Sequence, residues 1–271
     1  MFGEYICQTV DANNNQTYLT FTYTKLLKLN LVVDIGNSRV KICVFDGDSI
    51  VFDTVSGTFD MLGLRLIKEK WNIENIIVSS VKGDRDGLKE MLNVNSKCSI
   101  VVDYLTPEPI ENLYETPSTL GIDRLAAAIG ANYLQPCTDL LIVDAGTAIT
   151  IDYVNSRNQY IGGNISPGLT TRFKALNYFT KQLPVVEVQN EFPLVGKTTS
   201  SAILAGVELG LVYEIDGYIQ DHIKRNSYAK TFITGGDAFF FEKNLKNTIF
   251  VEPFLVHKGL NRILNYNAFE I

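Results

Sequence analysis

Four cysteines and two histidines in 271 residues leave little for soft-metal or disulfide chemistry. Cys7, Cys43, Cys98 and Cys137 are widely scattered without a C-x-x-C pair, and only His222 and His257 could join them. Neither a zinc site nor a disulfide framework is expected, and a reducing cytoplasm fits this usage. No stretch approaches the roughly 18 consecutive apolar residues of a membrane span, and the amino end lacks a basic segment followed by an apolar one, which argues against membrane insertion and export. Basic charge is also short: Lys+Arg number 24 against 30 Asp+Glu, a net charge of -6, which speaks against a general nucleic-acid binder. Any phosphate site must therefore be local. What the chain does have is 46% hydrophobic residues, enough for one large core or two modest ones.

Two stretches repeat one pattern, an apolar strand ending in aspartate, then glycine, then a small hydroxyl or amide residue and a second strand. They are Leu31-Val32-Val33-Asp34-Ile35-Gly36-Asn37-Ser38-Arg39-Val40-Lys41 and Leu141-Ile142-Val143-Asp144-Ala145-Gly146-Thr147-Ala148-Ile149-Thr150. A glycine turn lets backbone N–H groups approach a phosphate, while a carboxylate at the strand end can hold the accompanying metal ion. Two facing copies would form a phosphate clamp, an organisation that resembles the two-lobed phosphotransferases of the actin, hexokinase and Hsp70 kind. A third glycine turn, Thr234-Gly235-Gly236-Asp237-Ala238, sits where the adenosine-binding loop of that superfamily falls.

The wider pattern divides the chain at 29 and near 137. Residues 1–29 read as an appendage: Asp11 to Gln16 is a polar run, and Tyr18 to Thr24 alternates in a way that suits an edge strand. The spans 30–137 and 138–271 each start strand, glycine turn, hairpin. The first hairpin flanks Asp46-Gly47-Asp48, and the second flanks Asn155-Ser156-Arg157-Asn158. Between them, Ile76 to Val81 and Ser99 to Val102 read as buried parallel strands, with helices near Phe59 to Lys70 and Arg85 to Leu92.

Six ordered elements make the resemblance specific. They are Asp34-x-Gly36-Asn37-Ser38-x-x-Lys41, Tyr114-x-x-Pro117 followed by Gly121-Ile122-Asp123-Arg124, Asp144-x-Gly146-Thr147-Ala148, Gly162-Gly163-Asn164-Ile165-Ser166-Pro167-Gly168, Gly196-Lys197-Thr198-Thr199, and the turn from Thr234 to Ala238. The chain from Leu31 onward resembles the type III pantothenate kinases. That resemblance implies an α/β fold of two duplicated ribonuclease-H-like lobes with a nucleotide cleft between them. It also implies ATP-dependent phosphorylation of pantothenate to 4′-phosphopantothenate, in coenzyme A synthesis.

The resemblance also implies roles. Asp34, Ile35, Gly36, Asn37, Ser38, Arg39, Val40 and Lys41, with Thr147, would hold ATP, Asp34 orienting Mg²⁺ through the phosphates. Asp144 would take a monovalent cation such as K⁺ or NH₄⁺. Tyr114, Gly121, Ile122, Asp123 and Arg124 would contact pantothenate, with Asp123 as proton acceptor and Arg124 gripping the carboxylate. On local sequence alone, Asp123 opens a helix and would equally serve as a dipole partner, Lys41 would be a solvated strand residue, and Tyr114 would seal a proline-punctuated loop.

Gly196-Lys197-Thr198 is not a Walker A loop, because the earlier glycine of that motif would fall at position 191, which is Glu191. In the family the threonine at Thr199 contacts pantothenate from the partner subunit, implying a homodimer; Thr198 stands where asparagine is usual. The local alternative for Thr199 is a helix N-cap. Ala202, Gly206 and Gly210 leave a small-residue groove on the following helix, suited equally to a partner and to intrachain packing. Three rival functions share the clamp: a non-catalytic nucleotide-binding regulator, against which Asp123-Arg124 speaks because only a transferase needs it; a kinase of another small alcohol, since fold alone never fixes a substrate; and a phosphatase of the exopolyphosphatase type, for which no further acidic pair obviously positions a water.

Overall fold

The computed structural model describes residues 2–10, 16–24, 29–36, 39–58, 60–81, 85–92, 96–189 and 191–269. Asn37, Ser38 and most of the polar run after Asp11 lie outside them. Strands β1 (Phe2–Val10) and β2 (Gln16–Thr24) pair antiparallel as a separate two-stranded sheet, so the Tyr18 to Thr24 alternation is a strand whose partner is the segment before it.

The first large sheet has five strands: β3 (Leu29–Ile35), β4 (Val40–Asp46), β5 (Ser49–Ser56), β6 (Ile73–Ser80) and β7 (Cys98–Val101), ordered β5-β4-β3-β6-β7. β3 is central and buried on both faces, as its largely apolar run requires. β5, at the edge, alternates exposed and half-buried residues. β6 is deeply buried, whereas β7, the other edge, buries only Val101. Helices α1 (Met61–Lys70) and α2 (Arg85–Leu92) cover the outer face, where Leu64 and Leu92 pack with Leu31, Val33 and Ile35. α1 begins where Asp60 caps it, its Oδ1 accepting from the Gly63 N–H at 2.8 Å.

After the short β8 (Glu111–Asn112) comes α3 (Ile122–Leu134), then β9 (Leu140–Ala145), β10 (Ala148–Asn155) and β11 (Gln159–Pro167), and α4 (Leu169–Phe179). α5 (Thr199–Leu204) runs through a π turn at Ala205–Leu209 into α6 (Gly210–Arg225). β12 (Lys230–Thr234), α7 (Ala238–Asn244), β13 (Phe250–Val251) and α8 (Leu255–Phe269) complete the chain. The second large sheet has six strands, ordered β13-β12-β9-β10-β11-β8. Both predicted hairpins form, with Gly47 and Asn158 in the left-handed region at φ 60°.

Two helices lie between the sheets. Val32, Cys43, Phe45 and Ile77 of the first sheet share one apolar cluster with Leu140 and Ile142 of the second, with α3, and with Leu255, Leu260 and Ile263 of α8. Their strand neighbours point the other way: Leu141, Val143 and Ala145 join Leu169, Phe173 and Leu211 in a separate outer cluster. α3 is consequently buried at ten of its residues, which a helix flanked by two sheets must be. α8 crosses α3 at glycine: a Cβ on Gly259 would stand 1.8 Å from the Ala126 carbonyl oxygen, and one on Gly130 would stand 2.3 Å from that of Leu255. A polar pin fixes α8 to the first sheet, where Asn30 Nδ2 donates to Asn261 Oδ1 at 2.8 Å and Asn261 Nδ2 donates to the Gly47 carbonyl at 2.9 Å. No helix among the described residues is long and apolar enough to cross a membrane.

Candidate active site

Asp34 and Asp144 stand one residue before the ends of the central strands β3 and β9, and each strand leaves through a tight glycine turn. The Gly36 N–H donates to the Arg39 carbonyl at 3.0 Å, and the Gly146 N–H donates to the Ala148 carbonyl at 3.1 Å. The two turns are the same device, the first one residue longer. Opposite Asp34 in the antiparallel register is Lys41; opposite Asp144 is Thr150. The cation therefore belongs to one copy only.

Close packing holds the second turn. A Cβ on Gly168 would meet the carbonyl oxygens of Gly146 at 2.0 Å and Thr147 at 2.6 Å, and Thr171 Oγ1 donates to the Thr147 carbonyl at 2.7 Å. Thr147 itself is exposed. Gly235, at φ 94°, lets β12 turn directly over Asp144, since a Cβ there would fall 2.5 Å from Asp144 Oδ1. Ile35 and Val40 are buried in the apolar cluster of the first sheet, so only their backbone can serve a ligand. Arg39 is exposed at the turn.

Asp123 arrives from a third element, the first turn of α3. Gly121 is the N-cap and supplies no side chain, and Asp123 Oδ1 instead accepts the Arg124 N–H at 2.9 Å. Its Oδ2 has no hydrogen-bond partner among the described residues. The dipole role is thus filled by one oxygen and leaves the other for chemistry.

Asp34 and Asp144 both feel the charge of Asp123. Burial first, then the Asp123 charge, pushes the Asp34 carboxyl up from 3.8 to about 6, with Lys41 opposing. Burial and the same Asp123 charge push Asp144 up to about 7, with Asp34 adding to the rise. Asp34 of β3 and Asp144 of β9 are thus both within electrostatic reach of Asp123 of α3, and Lys41 offsets the rise at each. His257 of α8 is driven down to about 4 by burial and the Lys41 charge, so it is neutral near pH 7.

This donor set fits a hard divalent cation, which prefers carboxylate oxygens and readily completes its shell with phosphate oxygens and water. No group of three or more His, Cys, Asp or Glu side chains among the described residues could hold a metal alone.

The raised values have a stability consequence. Between pH about 4 and 7 the folded chain keeps protons on Asp34 and Asp144 that the unfolded chain has released. Their contribution is fully present below the ordinary 3.8 and is lost as pH rises through about 6 and about 7. Without nucleotide or metal, Asp144→Asn is expected to melt above the unsubstituted protein at pH ~8, the gap closing near pH ~4. A melting difference that is flat across this range would contradict the shift.

Arg124 points into the fold rather than into solvent. Its Nη2 and Nε donate to Asp152 Oδ1 at 2.6 and 3.1 Å. Burial opposes its charge, but Asp152 holds it protonated. The Tyr114 ring lies 5.6 Å from the guanidinium carbon. Asp152 and Tyr160, whose hydroxyl donates to Asp152 Oδ1 at 2.7 Å, carry no sequence motif signal of their own. Only their setting marks them, a lone acid in an apolar strand facing the Gly162-Gly163 pair.

Thr199 lies elsewhere within the protomer. It is exposed as the first residue of α5, whose N-cap is Thr198, closed by a reciprocal capping box with Ser201. Threonine caps a helix much as asparagine does, which accounts for the exchange at 198. Thr199 lines a groove of about 900 Å³ together with Leu176, Phe179, Ala202, Ile203 and Gly206. Cβ atoms added at Gly206 or Gly210 would meet nothing within 4 Å, so the small-residue stripe is open.

Comparison with known proteins follows the same residues. Residues 30–221 match the family model of type III pantothenate kinase. The type III pantothenate kinase of Phocaeicola vulgatus is 43% identical over 239 residues, covering 88% of this chain and 99% of that one. That of Bacteroides fragilis is 44% identical, covering 88% and 98%. Among solved structures, a Campylobacter jejuni protein assigned to the Baf family of transcriptional activators superposes with a TM-score of 0.60 at 24% identity, covering 88% of this chain and 98% of its own. Apo psk41 ParM superposes at 0.50 with 11% identity, covering 89% and 98%. These structures establish the actin-like ATPase fold.

Proposed function

The chain belongs to the type III pantothenate kinase family, whose members phosphorylate pantothenate with ATP in coenzyme A biosynthesis, and from that premise we propose how its own residues do so. The two lobes, one built on each large sheet, clasp the triphosphate between the Gly36 and Gly146 turns, whose backbone N–H groups and strand-end carboxylates converge from opposite sides. Asn37, Ser38, Arg39 and Thr147 add donors from those turns, and Lys41 neutralises phosphate charge. Asp34 would hold Mg²⁺ through the phosphates, where the ion would supply charge neutralisation at the transferring group, and Asp144 would hold a monovalent cation that offsets the second carboxylate.

Asp123 accepts the proton of the primary hydroxyl as the γ-phosphoryl moves in line, using the Oδ2 that has no hydrogen-bond partner among the described residues. Arg124, with Tyr114, Gly121 and Ile122, orients the acceptor by its carboxylate. Thr199 reaches the acceptor site of a second subunit, which the open groove beside it would seat in a homodimer. The observation that carries this reading is the electrostatic reach of Asp123, on α3, to both strand-end carboxylates, Asp34 and Asp144.

A coupled assay comparing pantothenate with a panel of small alcohols, with and without K⁺, tests it. Turnover confined to pantothenate and stimulated by K⁺ is expected; equal turnover of unrelated alcohols would favour the rival kinase. Arg124→Ala is expected to raise the pantothenate KM on the order of tenfold or more with the ATP KM unchanged, since a charged hydrogen-bond donor is lost. An effect confined to ATP would refute its role. Sedimentation at assay concentration should show a dimer, and a fully active monomer would remove Thr199 from the site.

A further inference from the structure

Asp152 is fully buried in β10, and Arg124 is 6% exposed, yet neither is part of a metal or phosphate turn. A buried ion pair is seldom retained for stability, because desolvation cancels much of the attraction. Here everything around it fixes orientation. Asp152 Oδ1 receives Nη2 and Nε of Arg124 and the Tyr160 hydroxyl together. The Tyr114 ring covers the guanidinium, and the Tyr114 and Tyr160 rings stand 6.1 Å apart. The facing strand leaves room only because it carries glycine: a Cβ on Gly163 would fall 2.4 Å from Asp152 Oδ1 and 2.9 Å from Arg124 Nη2. Gly162, at φ 132°, brings the chain under the Tyr114 ring. The fork is held by a carboxylate on one edge, aromatic rings beside it and bare backbone beneath.

We propose that Asp152 and Tyr160 are positioning residues for the acceptor substrate, holding the Arg124 fork in the one orientation from which it meets the carboxylate of pantothenate. The inference rests on the reading of Arg124 as the acceptor-binding residue. Because Asp152 balances the charge of Arg124, recognition of the anionic acceptor depends on the placement of donors rather than on surplus positive charge. Loss of the placement should therefore weaken pantothenate alone.

The test is steady-state kinetics on the full chain, varying pantothenate and ATP separately, for Tyr160→Phe, Asp152→Asn, Arg124→Ala and the Arg124→Ala/Asp152→Asn double variant. Asp152→Asn is expected to raise the pantothenate KM on the order of tenfold or more, and Tyr160→Phe about threefold, with the ATP KM unmoved. In the Arg124→Ala background Asp152→Asn should add nothing, a coupling that a merely structural role would not produce. A folded Asp152→Asn with an ordinary pantothenate KM, or one whose full effect adds to that of Arg124→Ala, overturns the inference while leaving Arg124 in place. Should Asp152→Asn fail to fold, Tyr160→Phe decides, and an unchanged pantothenate KM in it overturns the inference. An Arg124→Ala variant with an unchanged pantothenate KM overturns both this inference and the reading beneath it.

Discussion

Replacing Asp123 by asparagine is expected to lower kcat by on the order of a hundredfold or more while nucleotide binding is retained. The substitution preserves shape, and an amide oxygen can still accept the Arg124 N–H that Asp123 Oδ1 takes at 2.9 Å, so α3 keeps its first turn. What it removes is the ability of the second oxygen to accept a proton. Phosphoryl transfer with a loose transition state depends heavily on positioning and charge neutralisation, so some rate should survive. Steady-state turnover with calorimetric titration of nucleotide separates the two effects. Unchanged kcat would remove Asp123 from the chemistry, and lost nucleotide binding would assign it to the phosphates instead.

Gly259→Val is expected to destabilise the fold by about 3 kcal/mol or more, because the added atoms meet backbone and not a movable side chain. The nearest obstacle is the Ala126 carbonyl oxygen, 1.8 Å from the position of a Cβ, with the Gly130 nitrogen at 3.0 Å. The two helices between the sheets would have to separate, and α3 carries Asp123. Thermal melting should drop sharply, and the folded remainder should turn over more slowly. Gly206→Ala is the matched control, since its Cβ would meet nothing within 4 Å. As a helical glycine it should become neutral to slightly more stable as a monomer. Equal losses for both would contradict the crossing as the site of tight packing.

Local pattern made the clamp legible. An apolar run ending in Asp-x-Gly determines strand, turn and carboxylate within a few residues, and the Asp46-Gly47-Asp48 and Asn155 to Asn158 turns specify their hairpins in the same way. The start of α3 at Gly121 was readable for the same reason. Residues whose partners are distant in the chain were not. Asp152 reads as one polar position in an alternating strand, and only the return of Arg124, 28 residues away, makes it buried and paired. Asn30 interrupts the apolar run of β3 for a partner 231 residues on, in α8. The π turn at Ala205–Leu209 was equally hidden, since Glu208 within it is buried and accepts the Gln189 N–H at 2.8 Å from outside the helix. Spacing along one helix cannot report that contact.

The central claim is that Asp34 and Asp144 close on one metal-bound triphosphate while Asp123 receives the acceptor's proton, and a crystal structure of the complex with Mg²⁺, a non-hydrolysable ATP analogue and pantothenate tests it most directly. The account predicts the primary hydroxyl of pantothenate within about 2.6–3.2 Å of Asp123, in line with the γ-phosphate, with both strand-end carboxylates on the same phosphate chain. A hydroxyl turned away from Asp123, or phosphates reached by only one of the two glycine turns, would contradict it.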